Sequence, residues 1–235
     1  MSPRRALGLP LLLPVLLTLT VALAACGGGS GAAQGDPTTV VKTAEQKLAD
    51  TSGVSLKLST SDLPSGVQGV QGASGTVTDA PAFDGSLTVV ISAGSFPVPV
   101  KSVGGTVYAQ IPLTPGWSEV NPADYGAPDP GLLISSDQGI PAILAATTGL
   151  KAADQIRGGT DNKEVLSTYT GTVPSTAVGH LIPGASGSFA ATYAIADNGE
   201  LRQASLTGVF YGGKPSMTYT LVLDDYGTST DITAP

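Results

Sequence analysis

Apolar and polar residues alternate along much of the chain beyond residue 53. In residues 54–59, 86–92, 188–195 and 216–223 every second side chain is apolar, and those between are mostly Ser, Thr, Lys or Ala. A period of two is typical of β-strands with one buried and one wet face. The same pattern in residues 106–111, 164–172 and 200–210 brings the prediction to about nine or ten strands.

Turn signals separate these runs. Gly104-Gly105, residues 158–162, Asp197-Asn198-Gly199 and Gly212-Gly213 each precede an apolar run. Connections this short join antiparallel strands. Glycines recur at 66, 69, 72 and 75, and we expect a flexible loop there that runs into a strand.

A period near 3.6 appears in two places. Asp36-Pro37 supplies an N-cap and a first helical residue before Val40, Val41, Ala44 and Leu48, so a helix is predicted over 37–51. In residues 129–148 apolar side chains at 140, 143, 144 and 147 predict one or two short helices. Another short helix is expected after Pro174.

About ten strands present more apolar surface than a few short helices can cover, because a strand residue rises about 3.3 Å and a helix residue about 1.5 Å. A long antiparallel sheet also curls through its natural twist. The sequence therefore predicts an α+β fold, with a curved antiparallel half-barrel sheet of about ten strands and a few helices on its concave face. These enclose an apolar cavity in a single domain, residues 36–235.

The period of two, with the helical period at 140–144, selects side chains that point to the concave face. For each one, cavity lining and ordinary core packing both remain open, since both give the same alternation. The candidates for the lipid cavity are Leu56, Leu58, Leu87, Val89, Ile91, Val98, Val100, Val107, Ala109, Ile111, Ile140, Ile143, Leu144, Tyr193, Ile195, Tyr219 and Leu221.

The first segment has the layout of a secretory signal. Arg4-Arg5 precede an uncharged stretch rich in Leu, Val and Ala, and Leu23-Ala24-Ala25-Cys26 resembles the lipobox of bacterial lipoproteins. We expect a signal peptide at 1–25, acylation of Cys26 and a flexible Gly/Ser linker over 26–35, which anchor the domain at the extracytoplasmic face of the cell membrane. An uncleaved transmembrane anchor is the alternative, because the run is about long enough to span a bilayer. With a single cysteine the fold cannot depend on disulfides.

Charge narrows the possible partners. The formal net charge is −7, and only 12% of the residues are charged. The basic residues are scattered singly, whereas nucleic-acid binding needs a basic face. We therefore expect no nucleic-acid partner.

Chemistry-bearing clusters do not occur in the sequence. His180 is the single histidine, and no G-x-S-x-G elbow accompanies it, although a Ser/His/Asp triad through His180 stays an alternative. Asp224 and Asp225 are adjacent on a strand and point to opposite faces. Residues 197–200 are too short a loop for calcium and fit a hairpin turn. We expect no enzyme activity, no metal and no cofactor.

Several segments carry a family resemblance: Phe83 to Val89, Gly105 to Ala109, and Trp117-Ser118 leading through Asp129-Pro130, residues 132–133 and residues 137–140 to Leu144. The mature chain resembles the LppX, LprA, LprF and LprG lipoproteins of mycobacteria and related actinobacteria, LprG most of all. That resemblance implies a half-barrel that binds acylated glycolipids, such as phosphatidylinositol mannosides, beside a major-facilitator-type exporter.

The predicted function is a membrane-anchored lipoprotein that binds acylated glycolipids or other multi-acyl lipids in an apolar cavity and carries them across the cell envelope. Each exposed methylene costs about 0.8 kcal/mol in water, so such lipids need cover on the way. The alternative is a structural or interaction lipoprotein with a filled core and no lipid ligand.

Overall fold

The computed structural model describes residues 33–159 and 162–235. The predicted signal peptide, Cys26 and most of the predicted linker therefore lie outside the described residues. Two residues of that linker are held by the domain. The Ala33 amide donates to the Ala153 carbonyl (2.9 Å), and the Gln34 amide donates to the Ser167 hydroxyl (3.3 Å). The folded region thus begins slightly before residue 36.

Twelve strands form an open antiparallel sheet within the described residues, against about ten predicted. The strand order is β6-β5-β4-β3-β2-β1-β12-β11-β10-β9-β7, with β8 paired to β9. Their bounds are β1 Gly53–Ser59, β2 Gly69–Thr78, β3 Ala82–Ile91, β4 Gly94–Val103, β5 Thr106–Ala109, β6 Ser118–Val120, β7 Thr148–Ala152, β8 Ile156–Gly158, β9 Glu164–Pro174, β10 Ser186–Ile195, β11 Leu201–Val209 and β12 Met217–Asp224.

The helices occur where the sequence predicts them. Helix α1 (Pro37–Ala49) is capped by Asp36, whose carboxylate accepts from the Thr39 amide at 2.9 Å, and it ends two residues before the predicted limit. Helix α2 (Ile140–Ala145) and a 3₁₀ helix (Pro130–Leu132) occupy the predicted middle segment, and α3 (Ser175–Val178) follows Pro174. A second 3₁₀ helix, Pro122–Tyr125, has no sequence prediction.

The glycine-rich segment corrects one expectation. Most of it is strand β2 and not a flexible loop, and only Gly66 precedes that strand. Gly75 of β2 stands opposite Gly85 of β3, and the Phe83 ring lies over both: an added Cβ would be 2.7 Å from the ring at Gly75 and 2.6 Å at Gly85. The glycines therefore make room for a buried aromatic ring.

Strand β4 contains Pro97 and Pro99, which ladders usually exclude. The Pro99 carbonyl accepts from the Gln110 amide (3.0 Å), so the backbone groups of both prolines point away from β3 towards the β5 side. The ladder with β5 begins only at Val100. The prolines thus stand where a missing N–H costs no ladder bond, and they block edge pairing.

The two ends of the sheet differ in burial. We call the end with connections 79–81, 104–105 and 196–200 the closed end, and the end with connections 60–68, 92–93, 110–117, 175–185 and 210–216 the mouth end. At the closed end Val54, Val77, Phe83 and Leu223 are at most 1% exposed. Towards the mouth end the inward side chains become half-buried, and a hollow opens beside them.

Candidate functional site

An apolar pocket of about 370 Å³ lies between the sheet and the segments that cover it. Its volume falls in the range of small-molecule pockets, about 300–1,000 Å³. Tyr125, at its wall, is 66% exposed, so the pocket reaches the protein surface.

Strands from both halves of the sheet contribute to this one pocket. Leu87 comes from β3 and Tyr193 from β10, and these strands are five positions apart in the sheet. In a flat sheet that separation would be about 24 Å. The sheet therefore bends around the pocket, and α2, α3 and the crossing segment 125–133 cover it.

Eight predicted side chains lie on the pocket wall. They come from four strands and from α2, and each sits at an alternating or helical position of its element. They are Leu56, Leu58, Leu87, Ile140, Ile143, Tyr193, Tyr219 and Leu221. Their contact with lipid remains a prediction.

The other predicted side chains do not line the pocket. Seven pack in or against the hydrophobic core elsewhere: Val98, Val100, Val107, Ala109, Ile111, Leu144 and Ile195. The period of two gives the right face of a strand but does not say where along the strand the cover ends.

Two predicted side chains of β3 lie off the pocket wall towards the mouth end. Val89 is half-buried, and Ile91 is 42% exposed. Ile91 shares the face of Leu87, but it is the last residue of β3 and lies beyond the cover.

The sequence reasoning missed much of the wall. Leu206 and Ala204 alternate within β11 and could have been found by period. Leu181 and Ile182 follow α3, and Tyr125, Gly126, Ala127 and Pro128 belong to the crossing segment, where no periodicity applies. Val70 and Ala73 lie in the glycine-rich strand that was expected to be a loop.

Protein partners take up the hydroxyl groups of three wall tyrosines. The Tyr193 and Thr147 hydroxyls are 2.7 Å apart, and the Tyr211 and Tyr219 hydroxyls are 2.9 Å apart. Tyr219 also donates to the Val70 carbonyl. Among the described residues no buried side-chain N or O atom lacks a hydrogen-bond partner. The pocket therefore suits a ligand portion that needs no hydrogen bonds.

Burial of the wall tyrosines shows in their pKa values. Desolvation raises the pKa of Tyr193 to about 12, against the opposing effect of its hydrogen bond to Thr147. Desolvation, and next the hydrogen bond with Tyr211, raise the pKa of Tyr219. These phenols are neutral at physiological pH, so the inner wall carries no phenolate charge.

The residues considered for chemistry are not assembled for it. His180 is exposed after α3, and no side-chain hydrogen bond joins it to a Ser or Asp of the described residues. Residues 197–200 form the β10–β11 turn, with the Gly199 amide donating to Ala196 (2.8 Å). Asp224 bonds Arg202, and Asp225 lies just beyond β12. In the described ranges no group of three or more His, Cys, Asp or Glu is placed to hold a metal ion.

No helix in residues 33–159 or 162–235 combines the length and apolarity that a bilayer span requires.

Comparisons with known proteins agree on one family. The family model described as LppX_LprAFG lipoprotein matches residues 36–232. The crystal structure of LprF from Mycobacterium bovis is similar, with a TM-score of 0.68 at 16% identity over 87% of this chain and 99% of that chain. The lipoprotein LppX from Mycobacterium tuberculosis gives a TM-score of 0.62 at 21% identity over 85% of this chain and 100% of that chain. No curated protein sequence matches the chain.

Proposed function

The chain belongs to the LppX_LprAFG lipoprotein family, and on that premise we propose that it binds the acyl chains of lipids in its pocket and carries these lipids across the cell envelope. The observation that carries the proposal is the pocket itself. It is lined by aliphatic and aromatic side chains from both halves of the sheet, and the hydroxyls of Tyr193, Tyr211 and Tyr219 are already paired.

Acyl chains fit this wall for a physical reason. A methylene chain has no hydrogen-bonding groups and gains about 0.8 kcal/mol for each CH₂ removed from water. A polar ligand would instead lose hydrogen bonds to water without replacing them. The head group of a glycolipid would stay at the exposed opening near Tyr125, where water can solvate it.

The proposal includes an anchor at Cys26, a location at the extracytoplasmic face of the membrane, and delivery beside a major-facilitator-type exporter. The lipobox residues 23–26 support the anchor, and the family resemblance supports acylated glycolipids and the exporter. No catalytic step is part of this function, because shielding a lipid from water needs only an apolar hollow.

Lipid extraction tests the binding. The protein, expressed in an actinobacterial host that makes multi-acyl lipids, is purified and measured by native mass spectrometry before and after organic extraction. We expect an added mass that leaves with the solvent and contains acyl chains. The same protein refolded from denaturant without lipid is the control. A preparation that carries no lipid would favour the filled-core alternative and contradict the proposal.

Substitution of Cys26 tests the anchor. We expect Cys26→Ala to leave the thermal unfolding of the domain unchanged, since the predicted domain begins at residue 36, and to release the protein from the membrane fraction. Fractionation followed by immunoblotting measures this. A variant that still pellets with membranes as uncleaved precursor would support the transmembrane alternative.

A further inference from the structure

The loops at the mouth end carry almost no charge. Connections 60–68, 92–93, 110–117, 175–185 and 210–216 contain only Asp62, His180 and Lys214 as titratable groups of the Asp, Glu, Lys, Arg and His types. The closed end differs. Its connections, the α1–β1 link and the first residue after β12 carry Asp50, Asp79, Asp197, Glu200 and Asp225, and the cations beside them are Lys47 and Arg202. The molecule therefore has an acidic end and a neutral end.

The β5–β6 connection at the neutral end presents an apolar side chain directly to solvent. Leu113 is fully exposed and has φ +69°, a left-handed conformation that suits Gly or Asn better than Leu. The turn is held by the Thr114 amide, which donates to the Ile111 carbonyl at 3.0 Å. Exposing an apolar side chain to water and holding Leu in a left-handed conformation both cost free energy. A polar residue such as Asn at this position would lower both costs.

One more large apolar side chain is exposed at this end. Ile91, the last residue of β3, is 42% exposed. Trp117 ends the Leu113 loop and is half-buried. Tyr and Trp are the aromatic residues that favour the boundary between water and lipid.

We propose that the mouth end is a membrane-contacting surface, in which Leu113 inserts into the lipid interface while the acidic closed end faces away from the bilayer. A surface that enters the apolar lipid interface must carry few charges, and an anionic leaflet repels carboxylates. The pocket opens beside this surface, so a lipid could enter without a long path through water. The inference rests on the proposed function only for the anchor at Cys26.

The anchor has enough reach for this orientation. Ala33, which is hydrogen-bonded beside the sheet, is seven steps along the chain from Cys26, and a fully extended chain of seven steps spans at most about 25 Å. The distance along β9 from Ser167, near which the chain enters, to Pro174 at the mouth end is about 23 Å.

Trp117 is the single tryptophan and so a built-in probe of this contact. The full acylated chain is reconstituted in phosphatidylglycerol/phosphatidylcholine vesicles, with or without bromine atoms on the upper acyl carbons. We expect bromine to quench Trp117 emission in the wild type, and Leu113→Asp at least to halve that quenching. Asp tolerates the left-handed turn, so this variant keeps the fold.

Ile156→Asp is the matched control, since Ile156 is 39% exposed on β8, away from the mouth end, and we expect its quenching to equal the wild type. Equal quenching in Leu113→Asp and wild type would overturn the proposal, as would no quenching in either. So would a Trp117 signal that follows protein concentration and not bromine, which would indicate a second copy as the partner. Quenching reports membrane contact and does not require lipid in the pocket. Lipid binding is measured separately by extraction, so failure of one proposal can be told from failure of the other.

Discussion

The closed end and the mouth end share the same strands and the same alternation, yet one is filled and the other hollow. Leu56 pairs with Leu223, and two residues further Leu58 pairs with Leu221, on the same face of β1 and β12. Leu223 is 1% exposed and off the pocket wall, whereas Leu58 and Leu221 are half-buried on the wall. Leu56, 5% exposed, touches the wall where the two ends meet. Side-chain type does not separate the two ends, because all four residues are leucine.

What separates them is the cover. At the closed end the segment after β12 returns over the strands: the Gly227 amide donates to the Gly53 carbonyl (3.0 Å), and the Tyr226 hydroxyl donates to Leu201 (2.9 Å). Helix α1 reaches the β10–β11 turn there, where Thr43 and Lys47 adjoin Gly199. The pocket, in contrast, reaches the surface, since Tyr125 on its wall is 66% exposed.

A cluster of charged side chains outside the core links several elements at the closed end. Arg202 of β11 reaches Glu164 (2.9 Å), Glu200 (3.2 Å) and Asp224 (3.2 Å) and lies 5.9 Å from the centre of the Tyr226 ring. Burial lowers the pKa of Arg202, but the hydrogen bond and charge of Glu164, with Glu200 and Asp224, raise it overall. Arg202 thus joins three strands and the returning segment at one point.

The largest expected effect uses the two leucines of β12. Leu223→Ala removes a fully buried side chain from the filled end, and we expect a loss of about 2–5 kcal/mol in the free energy of unfolding. Leu221→Ala only enlarges an existing hollow beside a half-buried side chain, so we expect about 1 kcal/mol. Urea denaturation of both variants and the wild type measures the difference.

Equal losses at the two positions would break the comparison, because the mouth end would then be packed as tightly as the closed end. Val222→Ala, on the opposite face and 40% exposed, serves as the reference for the strand itself.

The second effect is a change of about 2–3 kcal/mol in the free energy of unfolding with pH, and it tests whether water is excluded from the Tyr193 hydroxyl. The pKa of Tyr193 is about 12 in the folded protein and 10.0 for the free side chain, so the unfolded chain loses the proton first as the pH rises. The stability linked to the raised pKa of Tyr193 is therefore complete below pH 10 and is lost as the pH rises from 10 to about 12. Tyr193→Phe should therefore be less stable than the wild type at neutral pH, through its lost hydrogen bond to Thr147, with the gap narrowing above pH 10.

Denaturant unfolding of both proteins from pH 8 to pH 12 measures that gap. Tyr219 and Tyr226, whose pKa values are also raised, are present in both proteins, so their effects cancel in the difference. A gap that stays constant with pH would mean that water reaches Tyr193, and the hollow would then extend into what we describe as filled core.

The strands and helices were largely predictable because their causes are local. Asp36-Pro37 starts α1 through its own capping bond, and the apolar alternation of residues 188–195 marks β10 without help from other segments. Strand β2 was not predictable from its own residues. The space beside Gly75 is occupied by the ring of Phe83, which belongs to the neighbouring strand.

The site was half predictable for a related reason. Alternation selects the face of a strand, so Leu56, Leu58 and Leu221 were found. The boundary between pocket and core depends on which segments lie above each strand position. Segment 125–133 crosses the sheet without any periodic pattern, and so the sequence placed Val100 and Leu87 in one class although only Leu87 reaches the pocket.

The smallest expected change in stability is also the sharpest test of the hollow. Leu87 lines the pocket from β3, and Leu87→Trp adds volume there. In a filled core this overpacking would cost about 1–3 kcal/mol. In the hollow the indole occupies space meant for an acyl chain, so we expect little change in melting temperature and less lipid per folded molecule.

Thr88→Trp, next along β3 on the opposite face, is the control and should leave lipid content unchanged. Melting and extracted lipid are measured on the same preparation. A large loss of stability in Leu87→Trp with unchanged lipid content would show that this position belongs to the filled core, and the two ends of the sheet would no longer differ.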